Sequence, residues 1–64
     1  MTKKVRDVIE MLEADGWVHV RTKGDHRMFW KKGARRPIPV PGDLNDDMKI
    51  GTLKSILREM KAGR

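Results

Sequence analysis

Cysteine is absent from this 64-residue chain, and only two histidines occur. Disulfides and thiolate metal sites are therefore excluded. His19 and His26 alone are too few ligands for a zinc site, so we expect neither a metal nor a cofactor. The lack of cysteine is also typical of proteins from a reducing cytoplasm.

Long apolar runs are missing as well. No stretch is long enough to span a membrane, and a signal peptide is not expected because acids follow the basic N-terminus. These acids are Asp7, Glu10, Glu13 and Asp15. A chain near this size buries only about 60% of its unfolded surface. We therefore expect one cytoplasmic domain, residues 1–64, without membrane contact and with any reactive group on an open surface.

Positive charge dominates what is present. Fifteen Lys and Arg against nine Asp and Glu give a formal net charge of +6. Such a charge predicts an anionic partner, whether nucleic acid, a membrane surface or an acidic protein. Residues 21–36 contain one acid and seven cations: Arg21, Lys23, Arg27, Lys31, Lys32, Arg35 and Arg36. A merely solvated surface is the alternative, but this concentration favours a phosphate-binding hairpin.

Two amphipathic helices are predicted at the ends of the chain. Thr2 is the expected N-cap of the first helix, and Gly16 is its expected C-terminal stop. Gly51–Thr52 marks the expected start of the second helix. The apolar positions that recur at helical spacing are Val5, Val8, Ile9 and Leu12, widened by Met11, and then Leu53, Ile56, Leu57 and Met60.

Between the helices, alternation of side chains predicts a β-hairpin. Residues 17–21 read as a half-buried strand, and residues 22–25 supply turn chemistry with a glycine suited to positive φ. Residues 26–30 form the second strand, with His26 and Trp30 on one face and Phe29 on the other. Trp17 and Phe29 are expected in the core.

A third strand is predicted around residues 37–40. Pro37 and Pro39 cannot donate ladder hydrogen bonds, so this strand should be short or lie at an edge. The predicted fold class is α+β in the order α-β-β-β-α. Two helices then cover one face of a three-stranded antiparallel sheet, which buries a single core.

This arrangement resembles the double-stranded RNA-binding domain fold, and five segments narrow the resemblance. In order they are Gly16–Trp17, Arg-Thr-Lys-Gly-Asp-His-Arg at 21–27, Val-Pro-Gly at 40–42, Asn-Asp-Asp at 45–47 and Lys-Ile-Gly-Thr-Leu-Lys-Ser-Ile-Leu at 49–57. The series is similar to that of the HicA family, the small mRNA-cleaving toxins of bacterial HicA–HicB toxin–antitoxin pairs. The similarity covers residues 4 to about 60.

Membership of that family would imply a catalytic role for His26. It would also imply metal-independent cleavage of mRNA, arrest of translation, and inactivation by a HicB-type antitoxin. We expect the antitoxin to cover His26 and the basic hairpin with an acidic surface. Two positions depart from the family pattern: Asp25 stands where serine is most frequent, and Asp43 stands where a second histidine often follows.

Histidine suits RNA cleavage because its ordinary pKa of about 6.5 leaves both protonation states accessible near neutral pH. A neutral imidazole at His26 would accept the proton of a ribose 2′-hydroxyl, a contribution of typically ~10² to 10⁴-fold. Nearby cations and the backbone N–H groups around Gly24 would stabilise the phosphorane charge. The expected RNA-binding residues are Arg21, Lys23, Gly24, Arg27, Lys31, Lys32, Arg35 and Arg36.

Several points stay open at the level of sequence. The general acid has three candidates: His19, a lysine or water. Asp25 either favours the protonated imidazole or orients one of its ring nitrogens. Trp30 is either a stacking platform for a base or an ordinary sheet residue. Two other functions compete with catalysis, namely a non-catalytic RNA-binding module and a structural adaptor for an acidic protein.

Overall fold

The computed structural model describes residues 3–62 and has five elements. The three strands pair antiparallel in the order β1-β2-β3. The predicted α+β fold in the order α-β-β-β-α is confirmed, and it has the double-stranded-RNA-binding-domain-like topology. The elements are α1 (Val5–Ala14), β1 (Val18–Lys23), β2 (His26–Trp30), β3 (Ile38–Pro41) and α2 (Ile50–Ala62).

The apolar faces of the two helices meet one face of the sheet. Leu57 was expected on that face and is not: it is 38% exposed, because it lies on the flank of α2 that no other element covers. Thr2, the predicted N-cap, lies outside the described residues, and Lys4 occupies the N-cap position of α1. The buried helix residues are Val5, Val8, Leu12, Leu53, Ile56 and Met60.

The predicted glycine stop of α1 is confirmed in detail. Gly16 has a φ of +94°, which favours glycine over any residue with a Cβ. Its N–H donates to the Glu13 carbonyl at 3.0 Å, and the Trp17 N–H donates to the Leu12 carbonyl at 2.9 Å. This is the Schellman arrangement, which satisfies two carbonyls of the last turn and delivers the chain into β1.

The core lies beneath β2 and β3. Phe29, on the central strand, is only 1% exposed, and Trp17 is also buried, as expected. Ile38 and Val40 bury the inner face of β3. By contrast, every residue of β1 is exposed, so the predicted half-buried alternation of residues 17–21 is wrong. The helices pack beneath the β3 side of the sheet, so β1 extends beyond them and is not covered.

The hairpin turn is shorter than expected. Lys23 still pairs with His26, so β1 runs to Lys23 and the turn contains Gly24–Asp25 alone. Gly24 has a φ of +59° at the first central position, as two-residue type II′ loops require. Nearer the start of β1, the register shifts between His19 and Arg21, which leaves Val20 as the extra residue of a bulge.

The strand β3 is an edge strand, as its prolines predict. It begins and ends one residue later than expected, at Ile38 and Pro41. Pro41 pairs with His26, and Pro39 pairs with Met28. The proline-rich edge therefore lies directly beside the strand that begins with His26.

Candidate functional site

His26 lies at the edge of an open cleft. It is the exposed first residue of β2, held between Lys23 of β1 and Pro41 of β3. The cleft has a volume of about 600 Å³ and separates the hairpin turn from the loop between β3 and α2. Besides His26, its lining residues are Thr22, Gly24, Asp25, Arg27, Pro41, Gly42, Asp43 and Asp46.

Arg27 holds the two walls of the cleft together. Its Nη1 donates a hydrogen bond of 2.8 Å to the carbonyl of Gly42, across the paired strands. The side chain is half-buried, so this bond is shielded from bulk water better than a surface contact would be. Arg27 therefore fixes the start of the loop relative to His26 and also brings a positive charge to the cleft.

The loop wall is fixed from its other side by α1. The first N–H groups of a helix have no partner within the helix itself. Here the Val5 N–H donates to the Asp46 carbonyl at 2.9 Å, and the Arg6 N–H donates to the Leu44 carbonyl at 3.1 Å. The Asp46 carboxylate in turn accepts the Asp43 N–H at 3.1 Å. The wall facing His26 is thus attached to both the sheet and a helix.

The folded structure adds acidic residues to the histidine and the cations that were expected at the site. Asp25 and Asp43, the two departures from the HicA pattern, both line the cleft with His26, and Asp46 joins them. Within residues 3–62, no group of three or more His, Cys, Asp or Glu side chains is placed to hold a metal ion. The cleft is thus lined by three carboxylates, those of Asp25, Asp43 and Asp46, and by the guanidinium of Arg27.

Four of the expected RNA-binding residues come together with His26. Gly24 and Arg27 line the cleft. Lys23 pairs directly with His26, and Arg21 follows on the same face of β1, opposite Met28. Lys23 and Arg21 therefore lie on the same sheet face as His26, whereas Gly24 and Arg27 reach it from the cleft.

The remaining expected cations lie elsewhere. They belong to the loop between β2 and β3, which begins five residues after His26, or about 16 Å away at ~3.3 Å per strand residue. Lys31 contacts Asp15 at 3.5 Å. Arg35 and Arg36 contact Glu59 of α2 at 3.9 and 2.6 Å. Lys32 lies in the same loop, so the structure does not bring this group to the cleft.

His19 is separated from His26 by the sheet. It pairs with the buried Phe29, and the centroids of the two rings are 5.4 Å apart. His26 lies three residues from Phe29 on the opposite face. The His19 Nε2 instead lies 3.0 Å from the Thr22 Oγ1. His19 is therefore not placed as an acid partner for His26.

Sequence reasoning missed several cleft residues, namely Thr22, Pro41, Gly42 and Asp46. Pro41 and Gly42 belong to the Val-Pro-Gly segment, whose pairing with the His26 strand was the available signal. The signal for Asp46 was the Asn-Asp-Asp segment at 45–47, but its position in the cleft depends on hydrogen bonds with Asp43 and with α1.

The Arg36–Glu59 pair connects the loop after β2 to α2. Both Glu59 carboxylate oxygens accept hydrogen bonds from Arg36, at 3.2 and 2.6 Å. These bonds hold the pKa of Glu59 below its ordinary value and raise the pKa of Arg36. A carboxyl with a lowered pKa stabilises the fold above its unfolded pKa, about 4.3. That contribution is lost as pH falls through the folded pKa.

We expect Glu59→Gln to reduce amide-exchange protection in residues 31–36 at pH 7, above all at Ala34, whose N–H donates to the Lys31 carbonyl at 2.9 Å. Because the pair is exposed, the global unfolding midpoint should change little. Protection factors measured by NMR at pH 7 and pH 3 test this, since the difference between wild type and variant should shrink as the carboxyl is protonated. A Glu59→Gln loop as protected as that of wild type at pH 7 would show that the ion pair does not order it.

The topology and the cleft together define a class: a small basic protein of the double-stranded-RNA-binding-domain-like fold with an exposed histidine beside cationic side chains and a glycine turn. The sequence model of the family described as HicA toxin of bacterial toxin–antitoxin matches residues 5–62. Because this match spans nearly the whole chain, the protein belongs to the HicA toxin family and is a toxin of a toxin–antitoxin system.

Family membership implies an antitoxin as partner. No curated protein matches the chain significantly. None of the helices described within residues 3–62 is long and apolar enough to cross a membrane.

Proposed function

We propose that this toxin is a metal-independent endoribonuclease that cleaves mRNA in the cytoplasm and so arrests translation. The observation that carries the proposal is the position of His26. It is exposed at the cleft edge, next to Lys23 and the Gly24–Asp25 turn, where a phosphate and a ribose can reach it. Membership of the HicA toxin family supports the same reading.

His26 acts as the general base. Its neutral imidazole accepts the proton of a ribose 2′-hydroxyl, and the 2′-oxygen attacks the adjacent phosphorus. The bond from phosphorus to the 5′-oxygen breaks, which leaves a 2′,3′-cyclic phosphate on one product and a 5′-hydroxyl on the other. Arg27, Lys23 and the Gly24 backbone stabilise the charge on the phosphorane.

A solvent water protonates the leaving 5′-oxygen. Among the residues lining the cleft, His26 is the one histidine, and His19 lies on the other face of the sheet. The cleft is open, so water reaches the leaving group without any movement of the protein. Without a positioned acid, proton transfer lacks one source of acceleration, and we expect a slow enzyme.

The antitoxin is the second partner that we propose. It is a HicB-type protein that presents an acidic surface to Arg21 and Lys23 and covers His26. Charge complementarity of this kind accelerates association and selects the partner. Such a partner competes with RNA for the same cations, so its binding alone is enough to stop cleavage.

The experiment is an RNA-cleavage assay with the purified chain. We expect fragments ending in a cyclic phosphate, with rates unchanged by EDTA and suppressed by the protein encoded next to this toxin. Binding of RNA without cleavage would refute the ribonuclease proposal. Cleavage that the neighbouring protein neither binds nor suppresses would refute the proposed antitoxin.

One observation favours an alternative, a non-catalytic RNA-binding module. The carboxylates of Asp25, Asp43 and Asp46 line the cleft and repel a scissile phosphate. The same assay decides between the two functions, because a binding module retains RNA affinity and yields no cyclic phosphate.

A further inference from the structure

The outer face of the sheet is free of both helices. Phe29 points into the core, so its neighbours on β2 point to solvent. Trp30 is 40% exposed, and its partner Val18 on β1 is 59% exposed. Three cross-strand pairs follow one another along this outer sheet face: Lys23 with His26, Arg21 with Met28, and Val18 with Trp30.

The charge on this face has one sign. Within residues 3–62, no carboxylate lies within 4.0 Å of the Arg21 or Lys23 side-chain nitrogens, whereas Lys31 and Arg36 each have an acidic partner. The cleft next to it contains more carboxylates than cations. The positive charge that holds an RNA backbone near His26 must therefore come chiefly from the outer sheet face.

We propose that the outer sheet face is a track for single-stranded RNA, with one base stacked on Trp30. This inference rests on the proposed ribonuclease function, since the track leads to His26. Arg21 and Lys23 bind phosphates, and Val18 and Met28 support the base beside the indole. Basic residues interleaved with an exposed aromatic ring are the arrangement that binds single strands without sequence preference.

The distances along β2 fit this occupant. His26 and Trp30 are four residues apart, or about 13 Å at ~3.3 Å per residue. A strand that advances by at least about 3.4 Å per nucleotide covers this distance in at most about four nucleotides. The stacked base therefore lies within a few nucleotides of the phosphate that is cut.

Only an unpaired base can use Trp30 in this way. In a duplex the base faces are stacked on one another, and proteins contact mainly the 2′-hydroxyls and phosphates. The track consequently selects single-stranded segments of a message over its hairpins, although the fold itself is one that also occurs in duplex-binding domains.

The test measures binding to a 12-nucleotide uridine strand fully 2′-O-methylated, so that it cannot be cut. We expect Trp30→Ala to weaken binding by about 5- to 150-fold, the effect of one stacked base. Leu57→Ala is the matched control, because Leu57 is similarly exposed but lies on α2. It should bind as wild type does, and circular dichroism should show both variants folded.

Tryptophan fluorescence gives a second readout that does not depend on truncating Trp30 to alanine. Trp17 is buried, so quenching on RNA binding reports Trp30. We expect quenching in wild type and its loss in Trp30→Phe, which keeps an aromatic ring and part of the affinity. Arg21→Ala and Lys23→Ala should each lower the salt slope by about 0.7 log units.

The track is refuted if Trp30→Ala binds the strand as tightly as Leu57→Ala does. It is also refuted if Trp30→Ala weakens only antitoxin binding, because the face then belongs to a protein partner. Failure of the proposed function looks different: Trp30-dependent binding would persist while ordinary RNA stays intact. Cleavage with no dependence on Trp30 would refute the track alone.

Discussion

His26→Ala should abolish RNA cleavage and growth arrest while the protein remains folded. A positioned general base contributes typically ~10² to 10⁴-fold, and no other histidine lines the cleft to replace it. The side chain is exposed, so its removal leaves no cavity in the core. We therefore expect an unchanged thermal midpoint together with single-turnover cleavage reduced by at least about two orders of magnitude.

His19→Ala is the matched control for this loss. It removes the other exposed imidazole, which lies against Phe29 on the opposite face of the sheet. Its cleavage rate and its toxicity in growing cells should stay close to those of wild type. If the two variants lose activity equally, or if His26→Ala still arrests growth, His26 is not the base.

Phe29→Ala should destabilise the protein severely. Phe29 is the largest fully buried side chain, and truncation of a buried phenylalanine costs about 3–5 kcal/mol. A chain of this length has a total stability of only about 3–10 kcal/mol, at ~0.05–0.15 kcal/mol per residue. The substitution therefore removes a large part of the free energy of unfolding, and in the molecules that unfold the cleft is lost along with the sheet.

Urea denaturation followed by circular dichroism measures this effect. Leu57→Ala serves again as the control, since an exposed apolar residue should change stability by no more than about 0.5 kcal/mol. A Phe29→Ala protein with a cooperative transition near the wild-type midpoint would contradict the core described above. Wild-type activity in that variant would do the same.

The elements themselves were largely predictable. β2 has the predicted bounds, and Trp17 and Phe29 are buried as expected, because alternation along a strand separates its two faces. Gly16 ends α1 because a positive φ suits glycine. These features depend on neighbours within a few residues, so the sequence carries them directly.

The candidate site was predictable only in part. His26 was singled out because the segments around it resemble those of the HicA family. Asp46 was not identified as a site residue. Its loop is held opposite His26 by backbone hydrogen bonds to α1, which lies more than 35 positions away in the chain. Similarly, the exposure of β1 depends on where the helices pack beneath the sheet, which no local pattern records.

The cations show most clearly what the sequence determined and what the tertiary structure determined. By sequence alone, Arg21 to Arg36 is one basic stretch with His26 inside it, and that was enough to predict phosphate chemistry. Only the tertiary structure divided the stretch: Lys23 stays beside His26, whereas Arg36 lies at the far end of β2 and pairs with Glu59. The reason is that an extended strand separates residues that are close in sequence, while antiparallel pairing and helix packing decide which charges meet.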